Sequence, residues 1–447
     1  MPLDILSRVR SVAVVGASRS KGKAGNVILK NFLRGFKGRI YPVNPYADEI
    51  YGLRCYPSLD RIPYPVDMAI IVLPSRYIPE TLHQAVEKGV KISVIMGRVD
   101  EEDYEEILRL VSETSMRILG PESIGIYMPG RGLNTIFLDP LRQGYPPRGP
   151  IGILTQSGAV GTQILDILSE SGIGVSTFIG LGREIDITLL ESLSSLARDD
   201  ETEVIITYLE GVDEGREFYS LSRRITLDKP ILAIIGGVEP EGSRYVLSHT
   251  GRVGGGRLVK GVLRQAGIIE LRDLDMIGEA IHHLLHQPLP NGSRIGVVTG
   301  SGGYGISLID KAYEEGMEIT SYIDVGGTAG DEDYIEALKK VYVDEEVDVV
   351  VGIPYYASPS ITENLHTMMI ELISEMWGSG FYKPLSILTY PYGYTYRMSM
   401  RLSSYGIPVS YSPSSLVYLI KSLHRYKLYL ERMDAYKKWV RRRSYSI

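Results

Sequence analysis

What most limits the folds open to this chain is the recurrence of short apolar runs, each closed by glycine or a small polar residue and followed by a helical period. Residues 11–15, 39–43, 69–73, 92–96 and 117–119 form one series, 151–154, 204–209 and 231–235 a second, and 294–299, 347–352 and 385–389 a third. Runs this short and this rich in β-branched residues suit strands buried on both faces, and the helices between them supply the crossovers that parallel pairing needs. The alternation predicts doubly wound α/β layers built on parallel sheets. Proline and glycine interrupt it at 141–150 and 287–292, which read as linkers. A chain of 447 residues is too long for one core, so the expected domains are 1–140, 150–287 and 292–447.

Three turns carry the chemistry. Ser248-His249-Thr250-Gly251 lies between Gly242 and Gly254-Gly255-Gly256, in a segment that reads as neither helix nor strand. Flanking glycines let a bulky anion approach the main chain, as an imidazole that accepts a phosphoryl group requires. The plainer alternative is a satisfied surface or core histidine. The run at 151–154 stops at Gln156-Ser157-Gly158 and continues as a helix, whose first amides point at an anion beyond Ser157 and Gly158. The run at 204–209 ends in Glu210-Gly211. Glu210 can accept the second N–H of an imidazole and leave the other nitrogen nucleophilic, or it is simply a solvated acid at a strand end.

The first turn, Gly16-Ala17-Ser18, tests for a dinucleotide. The spacing G-x-G-x-x-G is not met, and Val43-Asn44-Pro45 stands where a nicotinamide site places an acid on the ribose. Arg19, Lys21 and Lys23 gather positive charge beside the turn, which suits the phosphates of coenzyme A better than NAD; otherwise they form a solvated basic loop. A P-loop is excluded because Ala24 occupies the place of the magnesium-binding Ser or Thr. Gly300-Ser301-Gly302-Gly303 repeats the strand-turn-helix device in the third series without an assignable ligand. His282 and His286 are spaced for one helix face but lack a third ligand, so no metal is expected, and the single Cys55 has no disulfide partner. Net charge is −6, against a nucleic-acid binder. No apolar run spans a membrane, and Met1-Pro2-Leu3-Asp4-Ile5 does not begin a secretory signal, so the expected location is cytoplasmic. The basic stretch 437–443 reads as a solvated helix end or a dock for an acidic partner.

In their order along the chain, Val12-Ala13-Val14-Val15-Gly16-Ala17-Ser18, Tyr41-Pro42-Val43-Asn44-Pro45, Gly120-Pro121, Leu133-Asn134-Thr135, Thr155-Gln156-Ser157-Gly158, Tyr208-Leu209-Glu210-Gly211 and Ser248-His249-Thr250-Gly251 resemble the alpha subunit of ADP-forming acyl-CoA synthetases, relatives of the succinyl-CoA ligase alpha subunit. The resemblance implies a Rossmann-like CoA-binding domain followed by two flavodoxin-like domains. It implies that His249 is phosphorylated and Glu210 stabilises it, with the phosphate held by Gln156, Ser157, Gly158, Thr250 and Gly251. Coenzyme A would meet Gly16, Ala17, Ser18, Arg19, Lys21, Lys23, Asn44, Pro45 and Pro74. The partner implied is an ATP-grasp beta subunit in a hetero-oligomer, holding ATP or ADP with Mg; the substrates are a small carboxylic acid and its acyl-CoA. Two departures stand out. Residues Ile235-Gly236-Gly237-Val238-Glu239 replace a Lys-Ser-Gly-Arg-Ser/Thr pattern, removing two cations, although Gly237-Val238 with Pro240 and Gly242 is similar to the succinyl-CoA ligase version. Glu122 replaces an asparagine, and a carboxylate repels anions that an amide binds. Two other readings stay open: a regulatory subunit that binds CoA without accepting phosphate, and a nicotinamide-dependent oxidoreductase, which Asn44 opposes.

Overall fold

The computed structural model describes residues 2–250 and 256–442, apart from the side chains of 248–250, 257 and 258. The chain divides into two compact units, Met1–Ile225 with Ile235–Val262 and Thr226–Ile234 with Leu263–Ile447.

The first unit opens with a parallel sheet in the order Arg39–Val43, Ser11–Val15, Met68–Ile71, Ile92–Ile95, Arg117–Leu119. Every residue of Ser11–Val15, Met68–Ile71 and Ile92–Ile95 is buried, which is why these strands read as continuous apolar runs and not as alternating ones. The chain leaves Ser11–Val15 to one side and returns on the other, so a crevice opens at the carboxyl ends of Ser11–Val15 and Met68–Ile71.

A second sheet in this unit runs Val204–Leu209, Arg148–Thr155, Val175–Gly180, Gly125–Met128, Leu133–Asn134. Its first two pairings are parallel and its last two antiparallel. The strand Arg148–Thr155 begins inside the stretch read as a linker. Arg148 and Ile151 both face Val175, a bulge that absorbs Gly149-Pro150. Val175–Gly180 is buried throughout, yet its serine and threonine mask it in the sequence. Ser176 is satisfied inside by Thr202 at 2.7 Å.

The segment read as aperiodic before His249 is helical over Pro240–Thr250. Its weak apolar stripe hides it, but Pro240 at the first position and Glu241 in the first turn are helix-start signals.

The second unit holds a wholly parallel sheet in the order Glu318–Asp324, Arg294–Thr299, Val349–Ile353, Leu385–Leu388, Val409–Ser410. On one face the helix Pro413–Arg432 packs Leu416, Val417 and Ile420 against Ile295, Val297, Val349 and Val351. On the other, Tyr334, Tyr342 and Tyr356 are fully buried. The basic end folds back within its own unit: Trp439 meets Tyr426 edge-on at 5.5 Å, and Lys438 and Arg442 both pair with Asp228.

The helix Ile277–His286 buries three titratable side chains. His282 and His283 share hydrogen bonds with Ser403 and Ser386 at 2.9 and 2.8 Å. Burial pushes both imidazoles down to about 3 and pushes the Glu279 carboxyl up to about 8, the Ser410 hydroxyl opposing. Above pH 6.5 the folded chain keeps a proton on Glu279 that the unfolded chain has lost, so the Glu279 contribution to stability falls with rising pH up to about 8. Below pH 6.5 the unfolded chain protonates histidines that the folded chain holds neutral, so stability falls again toward pH 3. Glu279→Gln should flatten melting temperature against pH between 6.5 and 8 and steepen the fall on the acid side between 6.5 and 4.5, where the Glu279 proton offsets one of the two buried histidines; an unchanged alkaline limb would show that Glu279 is ionised in the fold.

Candidate functional site

The crevice of the first sheet is shaped by close backbone approach. Gly16 has φ +89°, and a Cβ there would lie 2.3 Å from the Val72 carbonyl oxygen, a space that only glycine fits. The Gly16 and Ala17 amides donate to the Val43 carbonyl at 3.0 and 3.2 Å. Asn44 Nδ2 donates to the Ala17 carbonyl at 2.7 Å while Oδ1 accepts the Tyr46 amide at 2.8 Å. The Asn44 amide is therefore committed to bracing the two turns, and it presents no carboxylate to a ribose. Gly16, Asn44, Pro45 and Pro74 line one cavity of about 390 Å³. Ala17 is buried behind it, and the Ser18 carbonyl accepts from Asn26 Nδ2 at 2.7 Å. Arg19, Lys21 and Lys23 are exposed on the loop that leads into the helix Ala24–Gly35. Sequence reasoning missed Tyr46 and Tyr77, which also line the cavity, Tyr46 being 88% exposed. The available signal was an aromatic residue directly after Asn-Pro at a strand end.

The second sheet brings together the turns at Gln156 and Glu210. Gln156 Oε1 accepts the amides of Glu210 and Gly211 at 2.7 and 3.1 Å. Its Nε2 donates to the Gly211 carbonyl at 3.0 Å and to Glu184 Oε1 at 2.9 Å. Both lone pairs and both protons of the amide are thus used within the protein. Ser157 caps the helix Gly158–Glu170, its Oγ accepting the Val160 amide at 3.4 Å. Thr155 Oγ1 holds the Ser157 carbonyl at 2.6 Å. Gly158 opens the helix against Ile124, which a Cβ would approach to 3.2 Å. The first-turn amides of that helix carry the partial positive charge that favours an anion.

Glu210 is only 9% exposed. Burial first, and the Glu210 charge second, raise the neighbouring Tyr208 hydroxyl above its ordinary value. A Cβ at Gly236 would fall 2.4 Å from the Tyr208 hydroxyl and 3.6 Å from Glu210 Cγ. The glycine in the departing stretch 235–239 is therefore what admits Tyr208 beside Glu210. Gly237, at φ +66°, turns the chain toward the helix Pro240–Thr250. The expectations for the His249 and Thr250 side chains and for Gly251 lie outside the described residues. Glu122 has φ +59°, a conformation that asparagine adopts more readily than glutamate, and its carboxylate lies 3.9 Å from Arg98 at the surface.

Gly236→Ala should destabilise the first unit by about 1–3 kcal/mol through overpacking against Tyr208. Tyr208→Phe, which removes the obstructing oxygen, should recover most of that loss in urea denaturation. Additive losses in the double variant would contradict the contact.

Comparison with known proteins follows the same two sheets. Residues 10–129 match the model of the CoA binding domain, and residues 148–284 match that of the succinyl-CoA ligase like flavodoxin domain. The chain is 31% identical over 395 residues to the acetate–CoA ligase [ADP-forming] II subunit alpha of Pyrococcus furiosus, covering 81% of this chain and 85% of the relative. It is 33% identical over 326 residues to the acetate–CoA ligase [ADP-forming] of Methanocaldococcus jannaschii, covering 72% of this chain but only 46% of that relative, so it spans about half of that longer protein. Among solved structures, the Ca. Korarchaeum cryptofilum dinucleotide forming acetyl-coenzyme A synthetase 1, in complex with phosphate and ADP, superposes with a TM-score of 0.82 at 27% identity, covering 98% of both chains.

Proposed function

The chain belongs to the family of ADP-forming acyl-CoA synthetases, and from that premise we propose that it is the CoA-binding, phosphohistidine-bearing alpha component of an acid–CoA ligase. Acyl-CoA, ADP and phosphate are exchanged for a carboxylic acid, CoA and ATP. Phosphate attacks the thioester carbonyl and expels the CoA thiolate, which takes up a proton. The resulting acyl phosphate gives its phosphoryl group to a His249 ring nitrogen: the P–O bond to the acyl group breaks, an N–P bond forms, and the carboxylate leaves with the electron pair. An ADP oxygen then displaces the imidazole, forming ATP, on an ATP-grasp subunit that holds the nucleotide with Mg. The observation that carries this reading is the Gln156 amide, which ties the helix terminus at Ser157 to the turn at Glu210 and so sets an anion site beside a buried acid. Glu210 accepts the second imidazole N–H and stabilises the charge that grows on the ring.

The CoA crevice uses Gly16 and the Asn44 brace to bring backbone close to the ligand, with Arg19, Lys21 and Lys23 at hand for its phosphates. Ile235 and Val238, which replace cations of the resembling pattern, favour a second reading in which the chain binds CoA but accepts no phosphate.

Incubation of the full chain with radiolabelled acetyl phosphate should leave an acid-labile, base-stable label that is absent from His249→Ala. No label on the unmodified chain would support the regulatory reading instead. Glu210→Gln should slow labelling more than Ser157→Ala, whose lost cap is worth about 1 kcal/mol.

CoA should raise the melting temperature of the chain by mass action, and NAD at equal concentration should not. The opposite ranking would move the first sheet to the nicotinamide reading.

A further inference from the structure

Glu184 stands in the left-handed region at φ +56°, where a residue with a side chain is strained. Its backbone is held there from several directions. The amides of Leu181, Arg183, Ile185 and Ile187 donate to Thr155, Pro121, Gly120 and Ile118 at 2.9, 2.8, 3.0 and 3.1 Å. Gly182, at φ +64°, lets the loop pass where a Cβ would meet the Pro121 oxygen at 2.1 Å. Asp186 locks the next turn by accepting Arg117 Nε and the Ile118 amide at 2.9 and 2.7 Å.

This strained residue directs its carboxylate at two N–H donors. Oε1 accepts from Gln156 Nε2 at 2.9 Å, and Oε2 accepts the Leu189 amide, the first of the helix Leu189–Arg198, at 2.7 Å. The two ends of a carboxamide are nearly alike in shape, so which way Gln156 points is decided by its partners. An acceptor at Glu184 holds Nε2 on its side and leaves Oε1 to the Glu210 and Gly211 amides. With Gln156 reversed, its NH₂ would face those two N–H groups, donor against donor. Only a group that accepts at both ends serves. A glutamine at 184 would set its own NH₂ against either Gln156 or Leu189.

We propose that Glu184 is a positioning residue of the phosphoryl-transfer site, acting through Gln156 on the backbone of Glu210 and hence on the carboxylate that orients His249. This rests on the phosphohistidine reading above. It requires no further chemistry: no proton or phosphoryl group passes through Glu184.

The test is single-turnover labelling of the full chain by radiolabelled acetyl phosphate, read beside the melting shift with CoA. Glu184→Gln and Glu184→Gly should each slow labelling by about tenfold or more, the loss of a charge-assisted hydrogen bond. The acetyl phosphate concentration at half-maximal rate and the CoA shift should stay as in the unmodified chain, and a general loosening of the fold would move both. Glycine relieves the strained φ, so Glu184→Gly provides a folded variant if Glu184→Gln is unstable. Gln156→Ala should also slow labelling, and adding Glu184→Gln to it should slow it no further, since the link is already broken. Normal labelling in both Glu184 variants, or multiplying losses in the double variant, would overturn the positioning role and leave the chemistry at His249 intact. If the unmodified chain takes no more label than His249→Ala, the phosphohistidine reading fails and the role of Glu184 fails with it.

Discussion

The site in the second sheet depends on one side-chain amide. Gln156 follows a buried strand and satisfies four hydrogen bonds at once, joining its own turn to the end of Val204–Leu209. Neighbouring parallel strands are paired only along their length, and beyond their carboxyl ends nothing in the ladder fixes the turns to one another. The Gln156 bridge supplies that connection. Without it, the helix terminus at Ser157 and the turn at Glu210 would be joined only by the Gln156 backbone amide, which donates to the Tyr208 carbonyl at 3.2 Å.

Space around that bridge is kept by missing side chains. Gly236 leaves the Tyr208 hydroxyl room beside Glu210, and Gly161 lets the helix Gly158–Glu170 lie against Thr155, whose Cγ2 a Cβ would approach to 2.4 Å. The departure at 235–239 thus has a physical content beyond the two absent cations: a tyrosine occupies space that a larger residue at 236 would need. The structure gives no comparable account of Ile235 and Val238.

Much of this was legible in the sequence, and the limits were specific. The strands Ser11–Val15, Val204–Leu209 and Arg294–Thr299 are plain because burial on both faces demands nearly unbroken apolar runs. Val175–Gly180 escaped because its buried hydroxyls are satisfied by long-range partners that no local pattern announces. The helix Pro240–Thr250 escaped because its apolar face is weak. At the site, Gln156 and Glu210 could be read from turn chemistry, but Glu184 could not. Its sequence neighbours look like an ordinary loop, and its importance comes from a left-handed backbone and from a partner 28 positions away.

The two sheets of the first unit solve the same problem with the same kind of group. In one, Asn44 at the end of the second strand reaches back to the Ala17 carbonyl; in the other, Gln156 after the first strand reaches across to the Glu210 and Gly211 amides. Both braces are neutral carboxamides, which can donate and accept at once and so satisfy both kinds of backbone group. Neutrality matters at such places. A carboxylate in either position would repel an anion at the adjoining helix terminus, and a cation would compete with that terminus for one. At Gln156 the charge stands one partner further out, the Glu184 carboxylate accepting from Nε2 on one side and the Glu210 amide donating to Oε1 on the other.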